Sequence, residues 1–261
     1  MTIYLDHGAT SFPKAPGVKE AMVRFLEEES GNPGRGGHRL TVAASRAIES
    51  AREEVAALLG GNPERTLFGS GATFWLNAIM ASHLWHGSRV VVSALEHNSV
   101  MRPLRWYEGH RGVQVAVVEG SGPFGVPTAE EVAAVVAEKP TRLVVLKHAS
   151  KVTGSVLPVV EIITAVAPVP VVVDAAQTAG SLPIDFTTLG AAALICSGHK
   201  GLLGPPGIGV LMLSPDFDID PLVRGGTGSR SEGGAMPEHL PGGRGAGTPK
   251  GVGAAGRGAA W

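Results

Sequence analysis

Lys200 lies in a glycine-rich run that directly follows an apolar stretch of the chain. The run over residues 197–204 reads Ser-Gly-His-Lys-Gly-Leu-Leu-Gly, and the apolar stretch before it spans residues 191–196. A lysine placed where a buried strand opens into a loop is partly desolvated, and desolvation lowers the pKa of its amine enough for nucleophilic chemistry. A solvated loop lysine is the simpler interpretation of Lys200 alone. Residues elsewhere in the chain must therefore decide between the two.

Polar residues follow other apolar stretches in the same way. Strands are predicted over residues 89–95, 113–118, 142–146, 169–173 and 191–195. His97 comes after the first of these strands, and Asp174 and Gln177 come after the fourth. In parallel sheets, ligands bind at the carboxyl ends of the strands. The sequence therefore predicts that these side chains gather with Lys200 at one edge of a sheet.

The segments between these strands show helical patterns. Helices are predicted over residues 16–29, 41–59, 75–80, 101–110, 128–138 and 158–166, with short strands over residues 3–6 and 66–68. Thr128 and Glu131 have the spacing of a capping box at the start of one helix. The alternation predicts an α/β fold whose mostly parallel sheet is covered by helices on both faces.

The turn over residues 69–73, Gly-Ser-Gly-Ala-Thr, stands between a predicted strand and a predicted helix. Free backbone N–H groups and the helix dipole favour an anion at such a turn, so it is a candidate phosphate site. A tight turn with Thr73 as the helix cap explains the same residues. A dinucleotide-binding turn is disfavoured, because Phe74 takes the place of the third glycine.

A site for pyridoxal 5'-phosphate needs the residue types that these segments supply together. It needs a lysine for a Schiff base, a carboxylate at the pyridine nitrogen, a flat partner for the ring and an anchor for the phosphate. Each of these residues has a simpler explanation when it is considered alone. Asp174 and Lys200 could form a plain salt bridge, and His97 could be a hydrogen-bonded core residue. Their joint presence favours the cofactor site.

Composition excludes several other classes of protein. The 261 residues carry a formal net charge of −1, which gives no indication of a nucleic-acid or acidic-membrane partner. We see no secretory leader and no apolar stretch long enough to cross a bilayer, so we expect a cytoplasmic protein. Cys196 is the single cysteine, which excludes an intrachain disulfide and a cysteine-cluster metal site, and no metal is predicted. Its place in an apolar strand predicts a buried packing residue.

The chain resembles the class V aminotransferase family, and within it the cysteine desulfurase and selenocysteine lyase branch, from its first residues to about Gly253. The similarity rests on the Lys200 run and on five further runs in order: Tyr-Leu-Asp at 4–6, Gly-Asn-Pro-Gly-Arg-Gly-Gly-His at 31–38, Ser-Gly-Ala-Thr at 70–73, Glu-His-Asn-Ser at 96–99 and Val-Asp-Ala-Ala-Gln-Thr-Ala-Gly at 173–180. The resemblance implies the type I fold of pyridoxal-phosphate-dependent transferases, a homodimer, and a small C-terminal domain that is largely missing.

The resemblance also implies a role for each matching residue. Lys200 would form the internal aldimine and Asp174 would pair with the pyridine nitrogen. Gln177 would bind the ring hydroxyl, and His97 would stack on the ring and assist proton transfer. The phosphate would be held by a set drawn from two loops and a partner subunit: Ala72, Thr73, Ser197, His199 and Thr248. The implied reaction is sulfur removal or β-elimination from a small amino acid such as cysteine, with a possible sulfur-acceptor protein.

Departures from the family pattern leave alternatives open. Phe74 stands where the family has a glutamate, and Lys151 stands where an asparagine reaches the cofactor; Lys151 either points into the site beside Lys200 or turns out to solvent. The expected division is an N-terminal arm over residues 1–15, a cofactor-binding domain over 16–220, and a mobile, truncated segment over 221–261. A catalytically inactive cofactor-binding remnant, or another aminotransferase or lyase of the family, remains the alternative function.

Overall fold

Seven strands form one sheet in this computed structural model, which describes residues 3–33 and 36–223. The strands are β1 (Thr66–Gly69), β2 (Arg89–Ser93), β3 (Gln114–Val118), β4 (Leu143–Lys147), β5 (Val171–Asp174), β6 (Ala193–Ser197) and β7 (Gly209–Leu213). Their order in space is β1-β7-β6-β5-β4-β2-β3. Strands β2 to β6 pair in parallel, whereas β7 runs antiparallel to both of its neighbours. The predicted mostly parallel sheet is confirmed.

Helices connect the strands. They are α1 (Val18–Arg24), which continues as a π-helical turn over Phe25–Glu29, α2 (Arg39–Leu59), α3 (Ala72–His83), α4 (Asn98–Arg111), α5 (Ala129–Glu138), α6 (Val159–Val166) and the short α7 (Phe186–Leu189). The capping box of Thr128 and Glu131 is present at the start of α5. The ring of His38 caps α2 by accepting the Thr41 N–H, so part of the glycine-rich run over residues 31–38 serves to start a helix. Residues 34 and 35 of that run lie outside the described residues.

Alternate residues of each strand face opposite sides of the sheet, and both sides are covered. On one side, Val90 and Val92 pack with the buried residues of α3 and α4. On the other side, Val91 packs with α2, α5, α6 and α7. Because a strand's side chains alternate with period 2, a strand buried on both faces must be apolar throughout. This burial explains the nearly continuous valine and leucine runs and confirms the predicted helical cover on both faces.

The start of the chain was predicted wrongly. Residues 3–6, expected as a short strand, form no strand, and Ile3 and Leu5 are more than four-fifths exposed. The segment turns instead, because the Tyr4 hydroxyl donates to the carbonyl oxygens of Asp6 and Thr10. Alternating apolar residues therefore form no strand here, because none of the seven strands pairs with them.

Strand β7 was missed by the sequence analysis, although it holds β1 in the sheet. Its residue Gly209 pairs with Gly69 of β1 on one side and with Ser197 of β6 on the other. A side chain at Gly209 would collide with the backbone of Gly71. The apolar run over residues 209–213 was the available signal. Within the described residues, none of the helices is long and apolar enough to span a bilayer.

Trp75 attaches α3 to this strand, and its removal should destabilise the fold. Its side chain is 1% exposed, and its indole N–H donates to the Gly209 carbonyl oxygen at 3.2 Å. We expect Trp75→Ala to lower the free energy of unfolding by about 3–5 kcal/mol in denaturant titrations, because it leaves a large cavity. Trp75→Phe keeps a ring and loses the hydrogen bond, and should cost about 1–2 kcal/mol. Equal losses in the two variants would contradict the assignment of the stability to packing.

Candidate functional site

A cavity of about 400 Å³ opens at the carboxyl ends of the parallel strands. Seven of the nine residues proposed from the sequence line it: Ala72, Thr73, His97, Asp174, Gln177, His199 and Lys200. Ser197 is buried at the end of β6 and is not among the lining residues. Thr248 lies outside the described residues. The predicted gathering of strand-end residues is therefore present in the structure.

One wall of the cavity is the amino end of α3. Gly71 precedes the helix with a φ of 143°, and no side chain caps the first turn. A Cβ at Gly71 would meet nothing within 4 Å, so the space beside it is open. The first backbone N–H groups of a helix have no intrahelical partner, and they attract anions together with the helix dipole. Thr73 does not cap this helix. The alternative interpretation of residues 69–73, a tight turn with Thr73 as the helix cap, therefore lacks the hydrogen bond that it requires.

Asp174 forms the floor of the cavity at the end of β5. It is 6% exposed, and its Oδ1 accepts the Ala176 N–H at 3.0 Å. Burial raises the pKa of this carboxyl group, while the Ala176 N–H and the cations Lys200, His97 and Lys147 act in the opposite direction. Among the described residues Asp174 forms no direct ion pair, so the plain salt bridge to Lys200, which was the alternative interpretation, is absent. The carboxylate is available to a cationic group in the cavity.

Lys200 stands on the loop that leaves the neighbouring strand, β6. Burial lowers the pKa of its amine, Asp174 raises it, and Lys151 and Lys147 lower it further. The loop is closed by the Gly204 N–H, which donates to the Gly198 carbonyl oxygen at 2.8 Å. Gly201 packs so closely on the Ala179 carbonyl that a side chain there would collide with it. This packing fixes the backbone on which the lysine is carried.

His97 begins α4 and faces the same cavity. Its Nδ1 accepts the Ser99 N–H at 3.1 Å, which makes the imidazole the cap of the helix. Burial lowers the pKa of His97, with Lys151 adding to the effect and Asp174 opposing it. A ring whose Nδ1 accepts a hydrogen bond carries its proton on Nε2. His97 therefore presents Nε2 as its hydrogen-bond donor.

The start of the chain closes over the lysine loop. The Thr10 hydroxyl and the Ser11 hydroxyl and N–H donate to the His199 carbonyl oxygen, at 3.1, 3.0 and 2.8 Å. The Lys14 ammonium donates to the same oxygen at 3.3 Å. The Gln177 amide donates to the Gly8 carbonyl oxygen at 3.1 Å, so one of its hydrogens is engaged by the chain itself. Residues 8–14 thus hold the site from one side.

A second lysine lines the cavity, and the sequence analysis missed it. Lys147 ends β4 beside Asp174 in the register and is 5% exposed. Its backbone N–H donates to Oε1 of Glu96, which also accepts from the Ser93 hydroxyl at 2.6 Å. Lys151, by contrast, is exposed and does not line the cavity. Of the two orientations considered for Lys151, the structure has the one that faces solvent. The available signal was a charged residue at the end of an apolar strand.

Cys196 is buried in β6, as the sequence predicted. Its side chain is 1% exposed, and burial raises the pKa of its thiol to about 12. A buried thiol with such a pKa is not a nucleophile at neutral pH. No cluster of three or more metal-ligating side chains occurs among the residues that the structure describes.

Comparison with known proteins gives consistent relatives. The family model described as "Aminotransferase class-V" matches residues 3–261. A probable cysteine desulfurase of Aeropyrum pernix is 38% identical over 239 residues, which are 87% of this chain and 57% of the relative. A cysteine desulfurase IscS of Vibrio campbellii is 33% identical over 254 residues, which are 92% of this chain and 61% of the relative.

Solved structures share the fold. The apo cysteine desulfurase of Thermococcus onnurineus matches with a TM-score of 0.80 at 30% identity, covering 91% of this chain and 61% of that one. SspA in complex with cysteine matches with a TM-score of 0.77 at 29% identity, covering 86% and 65%.

The chain spans about three fifths of the length of these curated relatives, all of which bear the name of an enzyme class. Class V aminotransferases and cysteine desulfurases depend on pyridoxal phosphate. The cavity lining contains an amine and a carboxyl group, which are residue types that such a cofactor needs. The chain belongs to the aminotransferase class-V family.

Proposed function

We propose that this chain binds pyridoxal phosphate covalently at Lys200 and serves the removal of sulfur from cysteine or a similar small amino acid. One observation carries the proposal. Lys200 and Asp174 lie at the ends of the adjacent strands β6 and β5 and line one cavity with the uncapped end of α3. An amine, a buried carboxylate and an anion site in one cavity match the three functional ends of this cofactor.

The lining residues fit the cofactor part by part. The N–H groups at the start of α3 would take the phosphate, and Asp174 would take the protonated pyridine nitrogen. Lys200 would hold the aldehyde carbon, with His97 and Ala176 among the residues around the ring. The cavity volume of about 400 Å³ lies in the range of small-molecule sites. When bound, the cofactor withdraws electrons from the α-carbon of an amino acid.

The chain's own residues would manage the protons. Lys200 Nζ, with its lowered pKa, would take the proton from the α-carbon of the substrate. His97 Nε2 is the second proton carrier, because Nδ1 is occupied by the Ser99 N–H. The segment over residues 8–14 would exclude water from the lysine side of the cavity. We further propose residues 1–15 as an arm, 16–220 as the cofactor-binding domain, and a homodimer in which Thr248 reaches the partner's phosphate.

The one thiol in these 261 residues is poorly suited to accept sulfur. Cys196, the single cysteine, is buried and its thiol has a pKa of about 12. We therefore propose that a thiol other than Cys196 is the acceptor, with a sulfur-acceptor protein as a possible partner, and that an added thiol can take its place in an assay. The relatives named cysteine desulfurase, and the neighbour solved with cysteine, support cysteine as the substrate.

An inactive cofactor-binding protein is the second candidate, and the burial of Cys196 favours it. Incubation with L-cysteine, dithiothreitol and pyridoxal phosphate separates the two. Alanine with sulfide indicates desulfuration, whereas pyruvate with ammonia and sulfide indicates β-elimination. A bound chromophore without any of these products would establish the second candidate.

Lys200→Ala should abolish the covalent attachment of the cofactor. Pyridoxal phosphate added to the unmodified chain should give a near-visible absorption band, which borohydride removes while fixing the label on Lys200. Peptide mass mapping should find that label reduced at least about a hundredfold in the variant, because the lowered pKa makes this amine the reactive one. The matched control Lys151→Ala removes an exposed lysine nearby and should keep the label. Labelling of Lys151 in the unmodified chain would contradict the assignment.

Cys196→Ala should leave cofactor binding unchanged, since the thiol is a packing residue. In the native chain, iodoacetamide should modify Cys196 at least about a hundredfold more slowly than it does in the chain unfolded by guanidinium, because the buried thiol is protonated. Mass spectrometry of the intact chain measures both rates. Rapid native modification would show that the thiol reaches solvent and would restore it as a candidate sulfur acceptor.

A further inference from the structure

The start of the chain converges on one peptide group of the lysine loop. The hydroxyl of Thr10, the hydroxyl and backbone N–H of Ser11 and the ammonium of Lys14 all lie within 3.3 Å of the His199 carbonyl oxygen. A carbonyl oxygen has two lone pairs, so four donors are more than it can fully use. This surplus at the residue directly before Lys200 indicates that the loop is attached to the start of the chain at this point.

The same contacts reach the imidazole ring of His199. Its Nδ1 lies 3.1 Å from the Thr10 hydroxyl oxygen, and the residue lines the cavity. Because Nδ1 is engaged by Thr10, Nε2 is the ring nitrogen that is left for a ligand. Thr10 therefore contacts both the ring and the carbonyl group of His199, and so restricts its side chain together with its backbone.

Lys14 in turn holds the Thr10 hydroxyl in place. Its ammonium donates to the hydroxyl oxygens of Thr10 and Ser11 at 3.2 and 3.1 Å, in addition to the His199 carbonyl oxygen at 3.3 Å. An ammonium has three hydrogens, so each of them has an acceptor in these two segments. The three acceptors are neutral, so these bonds fix positions and do not neutralise a charge.

The turn that carries Lys200 ends in a residue that needs support from its neighbours. Leu203 has a φ of 58°, a left-handed conformation that is unfavourable for a bulky side chain. Its N–H donates to the Lys200 carbonyl oxygen at 2.8 Å, and its own carbonyl oxygen accepts the Ala15 N–H at 3.0 Å. The start of the chain therefore holds this turn on both sides, at His199 and at Leu203.

We propose that Thr10 and Lys14 are positioning residues that fix the His199 ring with Nε2 directed to the start of α3, where the cavity can bind an anion. Ala72 and Thr73, the first residues of that helix, line the same cavity as His199. A ring that carries a proton on Nε2 can donate it to an anion there. A ring already held in its bound orientation loses less freedom when a ligand arrives, so it binds the anion more tightly than a mobile ring does. The identity of the anion as the cofactor's phosphate rests on the proposed function, whereas the hydrogen bonds belong to the cofactor-free chain.

The test follows the His199 ring by NMR in the chain without cofactor, with inorganic phosphate as the anion. Histidine labelled with ¹⁵N in the ring gives the signals, and the signal that is lost in His199→Gln identifies the residue. Phosphate added at a fixed pH should shift the His199 signals of the native chain. Thr10→Val removes the hydroxyl and keeps the shape of the side chain, so it should weaken phosphate binding about three- to tenfold, which corresponds to one hydrogen bond. Thr10→Ser keeps the hydroxyl and should retain the native affinity.

Lys14→Met should weaken phosphate binding at least about threefold, because it releases the Thr10 hydroxyl. The matched control is Lys19→Met, which removes the same charge from an exposed position on α1 and should keep the affinity. Thermal unfolding verifies that each variant is folded.

Three results would overturn the proposal: an unchanged affinity in both Thr10→Val and Lys14→Met, equal losses in Thr10→Val and Thr10→Ser, or phosphate that leaves the His199 signals of the native chain unshifted. Labelling of Lys200 by pyridoxal phosphate is measured separately. A chain that binds phosphate at His199 but is not labelled at Lys200 would contradict the proposed function and leave this assignment standing.

Discussion

The site depends on charge that is buried at the ends of parallel strands. Asp174 is 6% exposed and its carboxyl pKa is raised by burial, so the groups around it must offset the cost of an ionised form. The Ala176 N–H does so by a hydrogen bond, and Lys200, His97 and Lys147 do so by charge. None of these cations reaches ion-pair distance within the described residues. Because no side-chain cation contacts the Asp174 carboxylate, a cationic group of a ligand can bind there.

The strand order explains why these groups meet. His97, Lys147, Asp174 and Lys200 follow or end β2, β4, β5 and β6, which are consecutive in the sheet. Parallel pairing brings all four carboxyl ends to one edge, and the helical cover on both faces leaves that edge as the open one. The same arrangement desolvates every charge placed there, which is why the pKa of both amines is lowered and that of both buried carboxyl groups is raised.

The sequence predicted the parallel strands, most of the helices and seven of the lining residues, because those features are periodic or end an apolar run. It failed where the structure depends on a partner in space. Residues 3–6 alternate like a strand but pair with no strand of the sheet, and β7 pairs not only with its chain neighbour β6 but also with β1, which is distant in the chain. Lys147 also ends an apolar run, but that local pattern does not show that its register partner is Asp174, and it was therefore missed. The resemblance drew attention to Lys151, whose side chain is exposed.

Strand β7 fixes the width of the site. Gly209 pairs with Gly69, which leads into α3, and with Ser197, which leads into the Lys200 loop. The Gly198 N–H donates to the Ile208 carbonyl oxygen at 2.9 Å, so the lysine loop is attached to the residue before β7. The backbone of β7 therefore fixes the distance between the start of α3, where an anion can bind, and the Lys200 loop. Gly209 has no side chain that would push the two apart. A rigid ligand that carries an aldehyde and a phosphate would meet both ends at a distance that the sheet has already fixed.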